Sequence, residues 1–199
     1  RYLEHEKQMQ ALKLIPKLAD EFKTIFGRDS GGLVRSYRTD DAETIVVAMG
    51  SVLGTIKDTV DEMRDAGAKV GVLCITSFRP FPLDAVRAAL KNAKRVVVLE
   101  KTFAVGIGGI LATDVRTALS GIPYAAYTVI AGLGGRPITR KSLHAMLEKA
   151  LRDELEALTF LDLDWKVVNR ELERERQKRR SGPAAENILR DVNSAVAHS

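Results

Sequence analysis

The sequence predicts an α/β fold: a three-layer domain with a mostly parallel sheet between two layers of helices, preceded by an N-terminal helix and followed by a charged helical tail. Three observations carry this. Short runs rich in valine and isoleucine recur between residues 44 and 130. Each is followed by a segment with helical spacing of its apolar residues, the alternation that parallel strands need because their connections must cross the sheet. The runs are continuously apolar rather than alternating, as strands covered on both faces are.

Residues Tyr2 to Phe26 place Met9, Leu12, Ile15, Leu18, Phe22 and Ile25 at steps of three and four, a helical period. Pro16 falls inside and is expected to kink or restart the helix, with Gly27 as its stop. Asp29-Ser-Gly-Gly32 reads as a linker, and Leu33, Arg35 and Tyr37 as a short edge strand. Thr44 to Met49 is the first buried strand. Gly50-Ser51 follows, Ser51 being suited to cap a helix from about Val52 to Asp65 that carries Leu53, Ile56, Val60 and Met63 on one face and ends at Gly67. Lys69 to Ile75 is the next strand, Phe78-Arg-Pro-Phe-Pro82 a rigid turn, and Asp84 or its neighbour opens a helix to Leu90. Arg95 to Leu99 is a strand, Val105-Gly-Ile-Gly-Gly109 a glycine turn, Ile110 to Leu119 a helix, and Tyr124 to Ile130 a strand. Ile138-Thr139 caps a last helix from Lys141 to about Leu155, with Leu143, Met146, Leu147 and Leu151 inward. The domain organisation is residues 1–32 as a helical linker, 33–158 as the α/β domain and 159–199 as the tail. Asp164 to Arg180 carries seven basic and four acidic residues; Ser181-Gly-Pro183 breaks it, and Ala184 to Val196 reads as a closing helix.

Composition excludes several classes. The chain has 199 residues, 45% apolar and 29% charged, with net charge +5. That is enough to bury a core without disulfides or metals. One cysteine, Cys74, rules out a disulfide framework and any thiolate zinc or iron–sulfur site built from this chain alone; Cys74 itself reads as a small buried hydrophobe. Apolar runs of five or six residues are too short for a transmembrane helix, and no signal peptide is seen, which points to the cytoplasm. The chain begins at Arg1, which reads as a fragment or a processed product.

Beside Cys74, five places invite chemistry. Gly106, Gly108 and Gly109 lie between strand and helix, but the third glycine of a dinucleotide fingerprint is replaced by Leu111, and Ser120 to Thr128 holds no carboxylate for a ribose. A tight turn is the plainer reading. Gly132-Leu-Gly134-Gly135-Arg136 offers backbone amides and a cation for an anion, or again a turn at an interface. Phe78, Arg79 and Phe81, stiffened by two prolines, are equally a docking knob or a plug on the sheet. Glu100-Lys101 ends a strand, where α/β sheets bind ligands, yet reads first as a surface ion pair. Arg170 to Arg180 lacks the aromatic residues that stack on bases and reads as a solvated face or subunit arm. No catalytic constellation assembles from these residues.

The order of several motifs carries a family resemblance. Tyr37-Arg-Thr-Asp-Asp-Ala-Glu-Thr44, Val47-Ala-Met-Gly-Ser51, Gly54-Thr-Ile-Lys57, Gly67-Ala-Lys-Val-Gly-Val-Leu73, Phe78-Arg-Pro-Phe-Pro82 and Ile130-Ala-Gly-Leu-Gly-Gly-Arg136 with Ile138-Thr139 resemble the alpha subunit of pyruvate:ferredoxin oxidoreductases. The segment with Phe26-Gly-Arg28 is similar to the helix before that domain. The resemblance covers about residues 1–150 and implies the second domain of the alpha chain, similar to the transketolase C-terminal domain. It implies a complete enzyme that oxidatively decarboxylates a 2-oxoacid, pyruvate foremost, to acyl-CoA and CO2. That enzyme uses thiamine diphosphate, magnesium, coenzyme A and iron–sulfur clusters, and reduces ferredoxin. It further implies that this chain holds none of those groups and serves assembly with a thiamine-diphosphate-binding beta, a gamma and a ferredoxin-like delta subunit. Phe78, Arg79, Phe81, Gly106, Gly108, Gly109, Gly134, Gly135 and Arg136 are then the residues expected at an interface or near substrate. The competing readings are a stand-alone nucleotide- or anion-binding module and, behind it, a nucleic-acid binder using the basic tail.

Overall fold

A computed structural model describes residues 1–178. The chain divides into two compact units, Arg1–Asp162 and one beginning at Leu163. In the first, α1 (Tyr2–Phe26) and β1 (Val34–Tyr37) precede four strand–helix pairs. These are β2 (Thr44–Ala48) with α2 (Leu53–Asp65), β3 (Val70–Ile75) with α3 (Leu83–Leu90), β4 (Arg95–Glu100) with α4 (Ile110–Ala118), and β5 (Ala125–Ile130) with α5 (Arg140–Leu151). A short β6 (Leu158–Phe160) follows. The six strands lie in the order β1-β3-β2-β4-β5-β6. All neighbours run parallel except β1, which pairs antiparallel with β3.

The strands are apolar along their whole length because both faces are covered, and the pleat sorts their residues between two cores. Val46, Val72, Val97, Leu99 and Val129 face Ile56, Val60 and Met63 of α2 and Leu143, Met146 and Leu147 of α5. Ile45, Val47, Leu73, Ile75, Val96 and Val98 face Val86 and Leu90 of α3 and Leu111, Val115 and Ala118 of α4. The three-layer α/β architecture is therefore as predicted. Two details tighten it. Gly71 lies under the turn after β1, where a Cβ would sit 2.5 Å from the Arg38 carbonyl oxygen. Arg87 of α3 donates to the carbonyls of Ala118 and Ser120 at 2.8 and 3.0 Å, satisfying the open C-terminal end of α4.

Four expectations need correction. Pro16 does not restart the first helix, which runs unbroken to Phe26; α1 buries none of its residues, so the carbonyl that proline leaves unpaired is not shut away from solvent. Ser51 makes no cap: Gly50–Val52 forms a 3-10 turn that leads into α2, which has no side-chain cap. The last helix ends at Leu151 rather than Leu155, because Asp153 takes a left-handed conformation at φ 57° and turns the chain into β6. That three-residue strand, missed in the sequence, pairs with β5 through Thr128, Val129 and Ile130. Thr139 does cap α5, its hydroxyl accepting from the Ser142 amide at 3.1 Å. In the second unit, α6 (Trp165–Lys178) is charge-dense as expected, with i,i+3 ion pairs Arg174–Glu171 and Arg176–Glu173. The expected break at Ser181-Gly-Pro183 and the helix from Ala184 to Val196 lie outside the described residues.

The turn at Asp153 ties both ends of the design together. Its carboxylate receives both Nε and Nη2 of Arg95, at the start of β4, at 2.6 Å, and the Tyr127 hydroxyl at 3.0 Å. The Arg95 hydrogen bonds, with help from Tyr127, pull its pKa down to about 2 from 3.8. A carboxylate depressed in the folded state contributes stability above its unfolded pKa and loses it as the proton returns. Asp153→Asn is therefore expected to lower Tm at pH 7, and the gap to the parent chain should close as pH falls from about 4 to about 2. Thermal melts of both chains across that range check it; a gap that stays constant with pH contradicts the pairing.

Candidate functional site at the strand ends

The C-terminal ends of the parallel strands bring the predicted residues to one edge of the sheet. Phe78 to Phe81 follow β3, Gly106 to Gly109 follow β4, and Gly132 to Arg136 follow β5. β2 and β5 lead to α2 and α5 on one face, while β4 between them leads to α4 on the other. Adjacent strands whose helices leave in opposite directions open a crevice at their carboxyl ends, the usual ligand site of such sheets. The last residue of β4, Glu100, stands there.

Glu100 is not the surface ion pair that its sequence position suggested. It is 6% exposed, and its two oxygens accept from the amides of Leu111 and Ala112 at 2.9 and 3.0 Å. These are the second and third residues of α4. The N-cap of that helix is Gly109, which has no side chain to offer, so the strand before the helix supplies the acceptor instead. A negative group at a helix N-terminus also meets the positive end of its dipole. The arrangement dictates Gly109. Its φ of −83° is ordinary for any residue, but a Cβ there would overlap Glu100 Oε1 and stand 3.0 Å from Thr128 Cγ2. This accounts for Gly109. The α4 amides that would hold a pyrophosphate are already engaged, and a carboxylate occupies the place of the phosphate charge.

The remaining predicted residues divide. The rings of Phe78 and Phe81 meet edge to face at 6.4 Å and both pack on the core beneath α3 and α4. Arg79 lies 3.9 Å above the Phe78 ring and pairs with Asp114 of α4 at 2.8 Å. The stiff turn thus plugs the sheet end, and its cation is bound internally. Gly106 and Gly108 take φ of 84° and 111° in a loop closed by the mutual bonds of Ala104 and Gly108, at 2.7 and 2.9 Å. Phe103 anchors that loop edge-on to Phe160 of β6, centroids 5.0 Å apart. After β5, Gly134 and Gly135 take φ of 66° and 78°, and a Cβ on either would meet nothing within 4 Å; their backbone conformation, not a crowded neighbour, requires glycine. Arg136 donates to the Asp162 carbonyl at 3.4 Å. Cys74 is half-buried on β3, its Sγ 4.0 Å from the Thr76 hydroxyl.

Sequence reasoning missed the Glu100 clamp and the Asp114 partner of Arg79. The first had a legible signal: a carboxylate closing an apolar strand, then a glycine where a helix cap belongs. Among the described residues no three His, Cys, Asp or Glu side chains gather to hold a metal, and no helix is long and apolar enough to cross a membrane.

The clamp yields a test by double-mutant cycle. Glu100→Ala leaves two helix amides without their acceptor and should cost roughly 2–3 kcal/mol. Gly109→Ala should cost at least about 2 kcal/mol in the parent chain, and clearly less in the Glu100→Ala background, where the overlapping carboxylate is gone. Urea unfolding of the four chains measures the coupling; strictly additive losses contradict the geometry.

Comparison with known proteins places this arrangement. The model of the pyruvate:ferredoxin oxidoreductase core domain II matches residues 42–143, half of the chain. The chain is 41% identical over 172 residues to pyruvate synthase subunit PorA of Methanosarcina barkeri, covering 82% of this chain and 42% of that protein. It is 38% identical over 175 residues to PorA of Pyrococcus furiosus, covering 84% and 44%. It is 35% identical over 150 residues to ketoisovalerate oxidoreductase subunit VorA of Pyrococcus horikoshii, covering 74% and 38%. It therefore spans less than half the length of these curated relatives. Among solved structures, 2-oxoglutarate:ferredoxin oxidoreductase from Magnetococcus marinus, with 2-oxoglutarate, coenzyme A and succinyl-CoA bound, aligns at a TM-score of 0.50. The identity is 21%, over 66% of this chain and 21% of that one; this likeness speaks to fold alone. The chain belongs to the pyruvate:ferredoxin oxidoreductase core domain II family.

Proposed function

We propose that this chain is the second domain of the alpha subunit of a thiamine-diphosphate-dependent 2-oxoacid:ferredoxin oxidoreductase, with pyruvate as substrate, and that its part in the enzyme is assembly rather than chemistry. The observation that carries this is identity of about 40% to pyruvate synthase subunits along some four-fifths of the chain. The whole enzyme would oxidatively decarboxylate its 2-oxoacid to acyl-CoA and CO2, passing electrons to ferredoxin in the cytoplasm. Residues 33–158, extended by β6 to Phe160, form the α/β domain; residues 1–32 and the tail flank it.

The cofactors of such an enzyme do not fit the residues present. An iron–sulfur cluster needs several thiolates, and the chain has one cysteine. A magnesium diphosphate site needs converging oxygen ligands, and the described residues gather no such set. Thiamine diphosphate, magnesium and the clusters are therefore assigned to beta, gamma and ferredoxin-like delta subunits or to other parts of the alpha subunit, and coenzyme A to the assembled enzyme. The strand-end groups support the same division: Glu100 serves α4 and Arg79 serves Asp114 and Phe78.

Two measurements test the reading. The enzyme purified through a tag on this chain should reduce ferredoxin with pyruvate and coenzyme A, and more slowly with 2-oxoisovalerate or 2-oxoglutarate. Titration calorimetry of the chain alone with thiamine diphosphate and magnesium should give no binding heat. Micromolar binding by the chain alone, or a tagged preparation inert with every 2-oxoacid, would sink the proposal.

A further inference from the structure

Between β4 and α4 stands a loop with a feature that clamp and core leave unused. Val105 and Ile107, on either side of Gly106, are 87% and 74% exposed. Leu133, in the loop after β5, is 42% exposed. Single exposed aliphatics are common, but these stand on a loop that cannot fold them away. The bonds of Ala104 with Gly108 close its neck, and the Ile107 amide adds a third to the Ala104 carbonyl at 3.0 Å. Phe103 holds one flank on Phe160, and the Glu100 clamp holds the other at the start of α4. An apolar pair held rigid before contact loses little freedom on docking.

The charges beside it say what kind of surface fits. Lys101 begins the loop and extends toward the β5 loop, its Cε 3.3 Å from where a Gly132 Cβ would be. Arg136 ends that second loop. Among the described residues neither makes an ion pair, Arg136 giving only its bond to the Asp162 carbonyl. Of the nearby carboxylates, Glu100 is engaged by α4 and Asp114 by Arg79, and exposed Asp162, whose carbonyl Arg136 reaches, makes no ion pair with Lys101 or Arg136. Two copies meeting through this edge would set Lys101 and Arg136 against cations of the same kind, which opposes self-association.

We propose that Val105 and Ile107 are the knob by which this domain docks a different protein chain, one that offers an apolar recess edged by carboxylates for Lys101 and Arg136. The proposal rests on the multisubunit reading above and names the surface that reading leaves open.

The test uses the whole assembly, purified through a tag on this chain from the cells that make it. A benzoylphenylalanine cross-linker is placed at Val105 or Ile107, and for comparison at exposed Lys91, which lies at the opposite edge of the sheet. Cross-links from 105 and 107 are expected in one other polypeptide, at a segment that mixes apolar residues with Asp or Glu, and none from 91 to that segment. The pair Val105→Lys and Ile107→Lys should weaken retention of that polypeptide roughly 30-fold or more while the melting curve of the chain stays unchanged. An intact assembly in which 105 and 107 reach nothing, a second copy or the same polypeptide overturns the docking proposal and leaves the multisubunit reading standing. A tagged chain that retains no other polypeptide overturns both.

Discussion

The carboxylate of Glu100, buried at the start of α4, is the contact on which the strand-end architecture turns. A carboxylate removed from water is costly unless it is well paired, and here two helix amides and the helix dipole supply the pairing. The consequences spread along the chain. Gly109 must lack a side chain to admit the carboxylate. The loop from Lys101 to Gly108 must then leave and return within the span set by β4 and α4. Thr128 on the adjacent strand is drawn into the same cluster, its hydroxyl accepting from Arg116 of α4 at 2.7 Å. Glu100 on β4 and Thr128 on β5 thereby both hold α4 to the sheet.

The same contact explains why the helix that follows the central strand does not present those amides free at its N-terminus. In an open α/β sheet, the glycine turn and helix N-terminus after a central strand form an anion site because nothing in the protein satisfies those amides. Here the protein satisfies them itself. A ligand phosphate would have to displace a carboxylate held by two hydrogen bonds, and would meet its charge. The neighbouring strand end is sealed differently, by Phe78 and Phe81 resting on the core and by Arg79 turned back onto Phe78 and Asp114.

What was legible in the sequence follows from what each feature depends on. The parallel strands and their helices were readable because continuous valine and isoleucine runs, followed by helical spacing, encode burial on both faces. The Thr139 cap was readable because it acts within four residues. The failures at Glu100, Arg79 and β6 involve partners distant in sequence. Glu100 read as a surface charge because its acceptor role depends on amides eleven and twelve residues on. The ion pair that turns Arg79 inward went unread because Asp114 lies far along the chain, on α4. β6 was invisible because three residues carry no pattern and owe their pairing to the turn at Asp153, which Arg95 and Tyr127 hold from two other strands. Pro16 misled in the other direction: proline rules are strict where a helix is buried, and α1 buries nothing.

 α1 also shows where the forces within this chain stop. A helix of 25 residues with Leu14, Leu18 and Ile25 at 53%, 51% and 72% exposure gains little from packing. Helices in proteins gain most of their stability from packing an apolar face, and Met9 and Leu12 of α1 line, with Phe81 and Leu83, a cleft of about 440 Å3. The sheet, by contrast, is closed by its own residues at β3 and β4. The domain thus satisfies itself where a ligand would otherwise bind and stays unsatisfied where another protein surface can reach, at α1 and at the Val105–Ile107 loop. That distribution of satisfied and unsatisfied surface is what the proposed assembly role rests on.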